Sequence, residues 1–262
     1  MTTRRIVLAG LAGIAVFGGL WELYVRLFDV QRYILLPPST IVGELVGHPR
    51  LYLDAVLVTA RHAAVGTAIS LVVAVLIGAV LASSRWLEQA AQPVLIGILV
   101  APWVAYFTSI VLWLGSGDWP VVFLVAFVTT PAFVFATVAG MRSADPAARE
   151  LLASVDAGRV EIMRRLRLPS ALPSILSSAR YTVGLALAAA YYGEGGNLAA
   201  SGLGYLGRRS GGAGSQNAEV LWATILATVA LGVLFLGALS GIERVALRWH
   251  VSQRDRARHG TG

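Results

Sequence analysis

Apolar residues run almost without interruption through six stretches of the chain, roughly Ile6–Tyr24, Ala63–Ser83, Val94–Leu114, Pro120–Met141, Ala171–Tyr192 and Val220–Ile242. A hydrocarbon core of about 30 Å is crossed by about 20 such residues in a helix, so each stretch predicts a spanning helix. Polar positions gather between them. The segment Asp145–Pro173 is polar, but apolar residues return in it at helical spacing: Leu151, Leu152 and Val155, then Val160, Met163 and Leu166. That pattern predicts two short amphipathic helices. Asp145 is a good N-cap and Pro146 a good first helical residue. Helix one should run to about Val155, and Asp156-Ala157-Gly158 should turn the chain, since Asp and Gly tolerate positive φ. Helix two should run from Arg159 to about Arg167 and stop at Leu168-Pro169, with Pro173 in the first turn of the fifth span. The expected result is a short helical elbow at one mouth of a helix bundle.

The remaining connections are simpler. Between spans one and two, Leu36-Pro37-Pro38-Ser39-Thr40 stops regular structure, and Ser39 or Thr40 can cap a following helix. Ile41, Leu45, Leu51, Leu53 and Val56 should line one face of a connector helix lying on the membrane surface. Gly115-Ser116-Gly117-Asp118-Trp119-Pro120 should form a tight hairpin in the aromatic interface between spans three and four. Pro102 and Pro131 fall inside those spans, where a proline either kinks the packing or flanks a cavity. The polar, glycine-rich stretch from Gly195 to Ala218 should be a loop.

Composition narrows the class. Of 262 residues, 56% are hydrophobic and 13% charged, against about a quarter charged in soluble domains. Absence of cysteine excludes disulfides and thiolate chemistry. The four histidines have no metal-ligand spacing. Every one of the 21 basic residues is arginine, so neither a P-loop lysine nor a Schiff-base lysine exists here. The net charge of +7 reads as the inner-face bias of a membrane protein rather than nucleic-acid binding. With the N-terminus inside, 14 arginines fall on inner segments and 6 on outer ones, with Arg180 inside a span. The elbow, with Arg142, Arg149, Arg159, Arg164, Arg165 and Arg167 in or beside it, then faces the cytoplasm. The first span follows Arg4 and Arg5 as a signal peptide would. However, it is longer than an h-region and ends in bulky Trp21, Leu23 and Tyr24, so it reads as a retained anchor. The basic tail Arg248–Arg258 reads as a membrane-surface anchor.

The elbow resembles the cytoplasmic signature loop of binding-protein-dependent ABC importer permeases, whose pattern is Glu-Ala-Ala, three residues, Gly, nine residues, Ile, one residue, Leu-Pro. Counting back from Leu168-Pro169, Leu166 holds the Ile position and Glu150 the Glu position. Leu151 and Leu152 replace the alanines, and Asp156 stands where the family has glycine. Either Asp156 takes the left-handed turn or the turn slips past Ala157 to Gly158. Other segments are similar to the nitrate/sulfonate/taurine branch: Leu36–Thr40, Leu112–Asp118, Arg142–Pro146, the spacing of Arg180, Gly184 and Glu194 from Leu168-Pro169, and Ser201-Gly202-Leu203-Gly204-Tyr205-Leu206.

The resemblance implies an all-α integral membrane protein with six transmembrane helices in the type I ABC importer permease fold, with coupling helices between spans four and five. It divides into an N-terminal helix and connector (1–59), the permease domain (60–246, coupling loop 142–170) and a basic cytoplasmic tail (247–262). The chain itself would be no enzyme and bind no cofactor or metal. ATP and Mg would sit on a separate pair of cytoplasmic ABC ATPase subunits. A second permease copy, an extracytoplasmic solute-binding protein and membrane lipid are the other implied partners, in the bacterial cytoplasmic membrane with both termini cytoplasmic. The cargo would be a sulfonate, nitrate or taurine-like anion. A pyrimidine or vitamin precursor is the alternative, and a stand-alone secondary transporter is the alternative of another class. Pro102, Trp103, Tyr106 and Phe107 are candidate pathway residues. Arg180 either serves an anionic path or snorkels, and Glu194 either gates or sits in the interface.

Overall fold

The computed structural model describes residues 3–32, 34–197, 201–211 and 217–247. Among these the chain is helical throughout: α1 (Thr3–Leu27), α2 (Pro38–Gly47), α3 (Pro49–Ser83), α4 (Arg85–Val100), α5 (Trp103–Leu114), α6 (Asp118–Arg142), α7 (Pro146–Ser154), α8 (Arg159–Ile162), a π-turn (Met163–Arg167), α9 (Leu168–Gly196), α10 (Leu203–Gly211) and α11 (Ala218–Ala246). The basic tail and residues 198–200 and 212–216 of the glycine-rich stretch lie outside the described residues.

The core is a three-helix stack of α3, α6 and α9, with α6 in the middle. Small residues set its spacing. A Cβ at Gly66 would fall 2.6 Å from the Val125 side chain, and one at Gly140 2.6 Å from Ala171 Cα. Such contacts draw helices together where lipid supplies no hydrophobic drive. Two apolar clusters fill the stack. One is at the α5 end, around Val121, Leu124, Ala189 and Ala190. The other is at the elbow end, around Phe133, Val134, Met141 and Ala171.

Four helices are long and apolar enough to span: Leu8–Leu27 of α1, then α3, α6 and α11. The predicted third span departs from a straight rod. It is two helices, α4 and α5, bent 95° apart at Ala101-Pro102. The cause is local: the residue before a proline is driven out of the α region, and Ala101 is extended at φ −63°, ψ 140°. If the bent pair counts as one span the total is five. The predicted fifth span, within α9, has the length but carries Arg180 and several serines and glycines.

The connector also differs from expectation. It is not one helix. α2 ends at Gly47, and Leu51, Leu53 and Val56 belong to the first turns of the 35-residue α3. Leu51 and Leu53 are exposed, while Ile41 and Leu36 are buried. Nor does Ser39 or Thr40 cap α2. The helix opens at Pro38, and Glu22 of α1 reaches across to accept from Ser39 N (3.0 Å) and Ser39 Oγ (2.7 Å). A carboxylate there answers unpaired N–H groups and the positive helix end. α1 is otherwise held by Trp21, edge-on to Trp222 of α11 at 5.7 Å. α6 runs through Pro131 as one helix, with Pro131 buried in packing.

Candidate functional site

The elbow forms as its residues dictate. Asp145 Oδ1 accepts from Ala147 N at 2.9 Å and Pro146 opens α7. The chain then reverses in a Schellman arrangement. Ala157 N donates to Leu152 O (3.0 Å) and Asp156 N to Ala153 O (3.1 Å), the paired bonds that satisfy the last carbonyls of a helix. Asp156 is the left-handed residue, at φ 55°. Gly158 has an extended φ of −68°. The turn therefore stays at the position where the resembling family has glycine, and Asp fills it.

Helix two does not stop at Leu168-Pro169. α8, the π-turn and α9 are continuous from Arg159 to Gly196, with αR backbone at each junction. Pro169 has no N–H to give, and its ring crowds the carbonyl four residues back. The chain relieves this by widening the preceding turn: Leu168 N donates to Met163 O, five residues back. Met163 and Leu168 then pack against the elbow-end core cluster, seating the elbow on the bundle.

On the open side, Leu151 (68%), Val155 (68%) and Val160 (81%) are exposed. Beside them Glu161 pairs with Arg165 at 3.1 Å. Glu150, Asp156 and Gly158 are exposed; Leu152, Ala157, Leu166, Leu168 and Pro169 are half-buried. An exposed apolar strip edged by charges suits a protein surface that is covered in an assembly.

Among the pathway candidates Trp103 and Phe107 meet on one ring, and Tyr106 and Arg180 have other neighbours. Pro102 marks the break between α4 and α5. Trp103 sets its ring edge-on to Tyr192 at 5.6 Å, and Phe107 packs on the same ring at 5.9 Å. Tyr106 is 44% exposed and meets Phe127. Arg180 lies elsewhere, with Nε 3.1 Å from Glu243 Oε2 of α11, a partner across 63 residues of sequence.

Glu194 is fully buried. It accepts from Thr59 Oγ1 (2.9 Å) and Gly204 N (2.9 Å), and its Oε1 lies 2.8 Å from Nδ1 of His62, itself fully buried. His62 Nε2 lies 3.2 Å from Asp118 Oδ1, off hydrogen-bond alignment, and Asp118 pairs with Arg61. Leu203 N donates to Thr59 Oγ1 at 2.9 Å. These contacts fasten α3, α6, α9 and α10 together at the end remote from the elbow. The glycines of the Ser201–Leu206 segment make room for the fastening. Gly202 sits at φ +118°, where a Cβ would lie 2.5 Å from the Glu194 carboxylate; a Cβ at Gly204 would lie 1.8 Å from Tyr191 O. The segment expected as loop thus contains a packed helix, α10. Alongside it, Asn197 Nδ2 donates to Gly117 O (2.6 Å), clamping the turn between α5 and α6. Sequence reasoning missed Thr59, His62 and Asp118. Nothing local marks them, because His62 and Glu194 stand 132 residues apart.

A sequence profile described as "Binding-protein-dependent transport system inner membrane component" matches residues 67–246. The chain belongs to this family of ABC importer permeases. Two curated relatives align over most of their length. The permease is 29% identical over 237 residues to the formylaminopyrimidine transport permease protein ThiX of Halalkalibacterium halodurans, covering 89% of this chain and 92% of the relative. It is 25% identical over 258 residues to the taurine transport system permease protein TauC of Escherichia coli, covering 95% and 91%. Among solved structures, inward-facing conformations of the MetNI methionine ABC transporter share its fold, with a TM-score of 0.66 at 19% identity over 76% of this chain and 98% of that one. The family is a transport component of the inner membrane, and the permease is multi-pass and all-helical among its described residues.

Proposed function

We propose that the permease forms half of the translocation path of an ATP-driven importer and takes its power stroke through the elbow. The observation that carries this is the exposure of Leu151, Val155 and Val160 on an elbow whose second helix runs on into α9. A cytoplasmic ABC ATPase subunit docks on those residues and supplies ATP and Mg chemistry. Residues Glu150–Gly158 and Leu166–Pro169 form the docking and hinge region. A second copy of the chain completes a twelve-span bundle, the bent α4–α5 pair and α9 serving as spans three and five. A separate binding protein delivers solute to the Glu194 end, which faces outward, with both termini inside as the arginine distribution directs. Docking shifts the bundle between inward- and outward-facing states by rigid-body motion of α9.

The test is purification with the ATPase encoded beside it. Val160→Asp places a charge in the strip at an 81% exposed position, so it should leave the thermal midpoint unchanged and cut ATPase co-purification about tenfold. Normal assembly and transport in that variant, or solute movement in sealed vesicles without any ATPase, would refute the reading.

For cargo, similarity to TauC over 95% of the chain supports a sulfonate, nitrate or taurine-like anion. A flat heterocycle of the pyrimidine or vitamin-precursor kind draws support of its own, from similarity to ThiX over 89% of the chain and from one aromatic cluster. Trp103, Phe107 and Tyr192 cluster at the α4–α5 break, while the Arg180 charge is matched by Glu243. Competition of labelled uptake by taurine and by an aminopyrimidine separates the two.

A further inference from the structure

Between the elbow and the bundle lies a cavity of about 260 Å³ whose walls include four arginines: Arg85 at the start of α4, Arg142 at the end of α6, Arg149 on α7 and Arg167 in the π-turn. Two have partners. Arg142 pairs with Glu88, and Arg167 Nη1 donates to Ala82 O at 3.4 Å. Arg85 and Arg149 form no ion pair among the described residues, so the cavity carries surplus positive charge. Met141 and Leu166 add an apolar flank.

Three features point to an occupant. The membrane-spanning helices α3 and α6 both end at this cavity, at Ser83 and Arg142, which places it at headgroup depth. Trp86, beside Arg85, is 72% exposed, as an interfacial aromatic should be. Guanidinium groups match phosphate oxygens two at a time, and basic pockets between spanning helices take anionic headgroups. None of Leu151, Val155 and Val160 lines the cavity, so an ATPase on those residues need not occupy it.

We propose that this cavity binds the phosphate headgroup of an anionic phospholipid, tying the α3–α4 turn, the end of α6 and the elbow together. The leaflet, and hence the bearing on ATP-driven coupling, rests on the elbow reading above; lipid binding itself does not.

The full permease, purified with its ATPase, would be reconstituted in phosphatidylcholine nanodiscs with and without a minor fraction of phosphatidylglycerol. Retained lipid would be counted by native mass spectrometry. Losing each arginine should weaken retention roughly fivefold, so Arg85→Gln with Arg149→Gln should lose phosphatidylglycerol about 25-fold. Arg208→Gln with Arg209→Gln on α10 should not. Arg149→Gln alone, at an exposed position, gives the reading if the pair fails to fold. Equal retention by parent and variants overturns the proposal. So does protection of the arginines from phenylglyoxal by inorganic phosphate as fully as by phosphatidylglycerol, which would mark a free-anion site. Loss of ATPase with lipid retention intact would mark an ATPase contact and also overturns it. Failure of Val160→Asp to release the ATPase would sink the elbow reading and leave this one standing.

Discussion

Replacing Glu194 with alanine should loosen the end of the bundle remote from the elbow. The carboxylate is fully buried and has three partners: Thr59 Oγ1, Gly204 N and His62 Nδ1, at 2.9, 2.9 and 2.8 Å. Alanine removes this partner from all three in a site closed to water; Thr59 Oγ1 keeps Ala55 O at 3.1 Å, while Gly204 N and His62 Nδ1 are stranded. Each stranded neutral donor costs about 1–3 kcal/mol. With Gly204 N and His62 Nδ1 both stranded, about 2–6 kcal/mol is the expected total. At roughly 2–4 °C per kcal/mol for chains of this size, the thermal midpoint in detergent should fall by about 10 °C. Glu194→Gln keeps the shape and one accepting oxygen and should lose about a third of that. Hydrogen exchange gives the local reading: amides of Leu203–Gly211 should exchange faster in Glu194→Ala while those in the middle of α6 stay protected. A midpoint within 2 °C of the parent, or exchange rising equally in α6 and α10, would refute the view that Glu194 is a fastening (about 1 kcal/mol or less lost).

Other outcomes follow from single features. Asp156→Gly relieves a positive φ in a non-glycine residue and should stabilise the elbow by about 0.5–1 kcal/mol, whereas Asp156→Val should strain it and reduce ATPase co-purification. Pro102→Ala removes the cause of the 95° break, so spin labels on α4 and α5 should move apart as the pair straightens. In a double-mutant cycle, Arg180→Ala and Glu243→Ala should be non-additive, with a coupling of about 0.5–1 kcal/mol in thermal denaturation. Strict additivity would mean the pair in α9 and α11 does not form.

Elements governed by neighbouring residues were legible in the sequence. The Asp145 cap, the Pro146 start and the turn at Asp156 depend on residues a few positions apart, and all lie where the pattern put them. Elements governed by partners far along the chain were not. α3 begins at Pro49 rather than Ala63, and Arg61 and His62, short of the apolar run, are met by Asp118 and Glu194. The glycine-rich stretch hid α10 because its glycines serve close approach to Tyr191 and Glu194 rather than looseness. Proline was misread at Pro169, whereas the bend at Pro102 is of the kind the pattern allowed. At Pro169 a widened turn absorbed it and the helix went on, while at Pro102 the preceding alanine gave way and the expected span bent.

That widened turn has a geometric consequence. From Arg159 to Gly196 the chain is one shaft about 55 Å long, gripped by the elbow at one end and by the Glu194 carboxylate at the other. Tilting such a shaft by ten degrees sweeps its far end through about 10 Å, which is the reach the proposed importer would have from elbow to opposite rim. The extra residue in the π-turn also sets the angular phase between the two ends. Deleting one residue there would swing the elbow by about 100° around the shaft, leaving every helix intact and the machine out of gear.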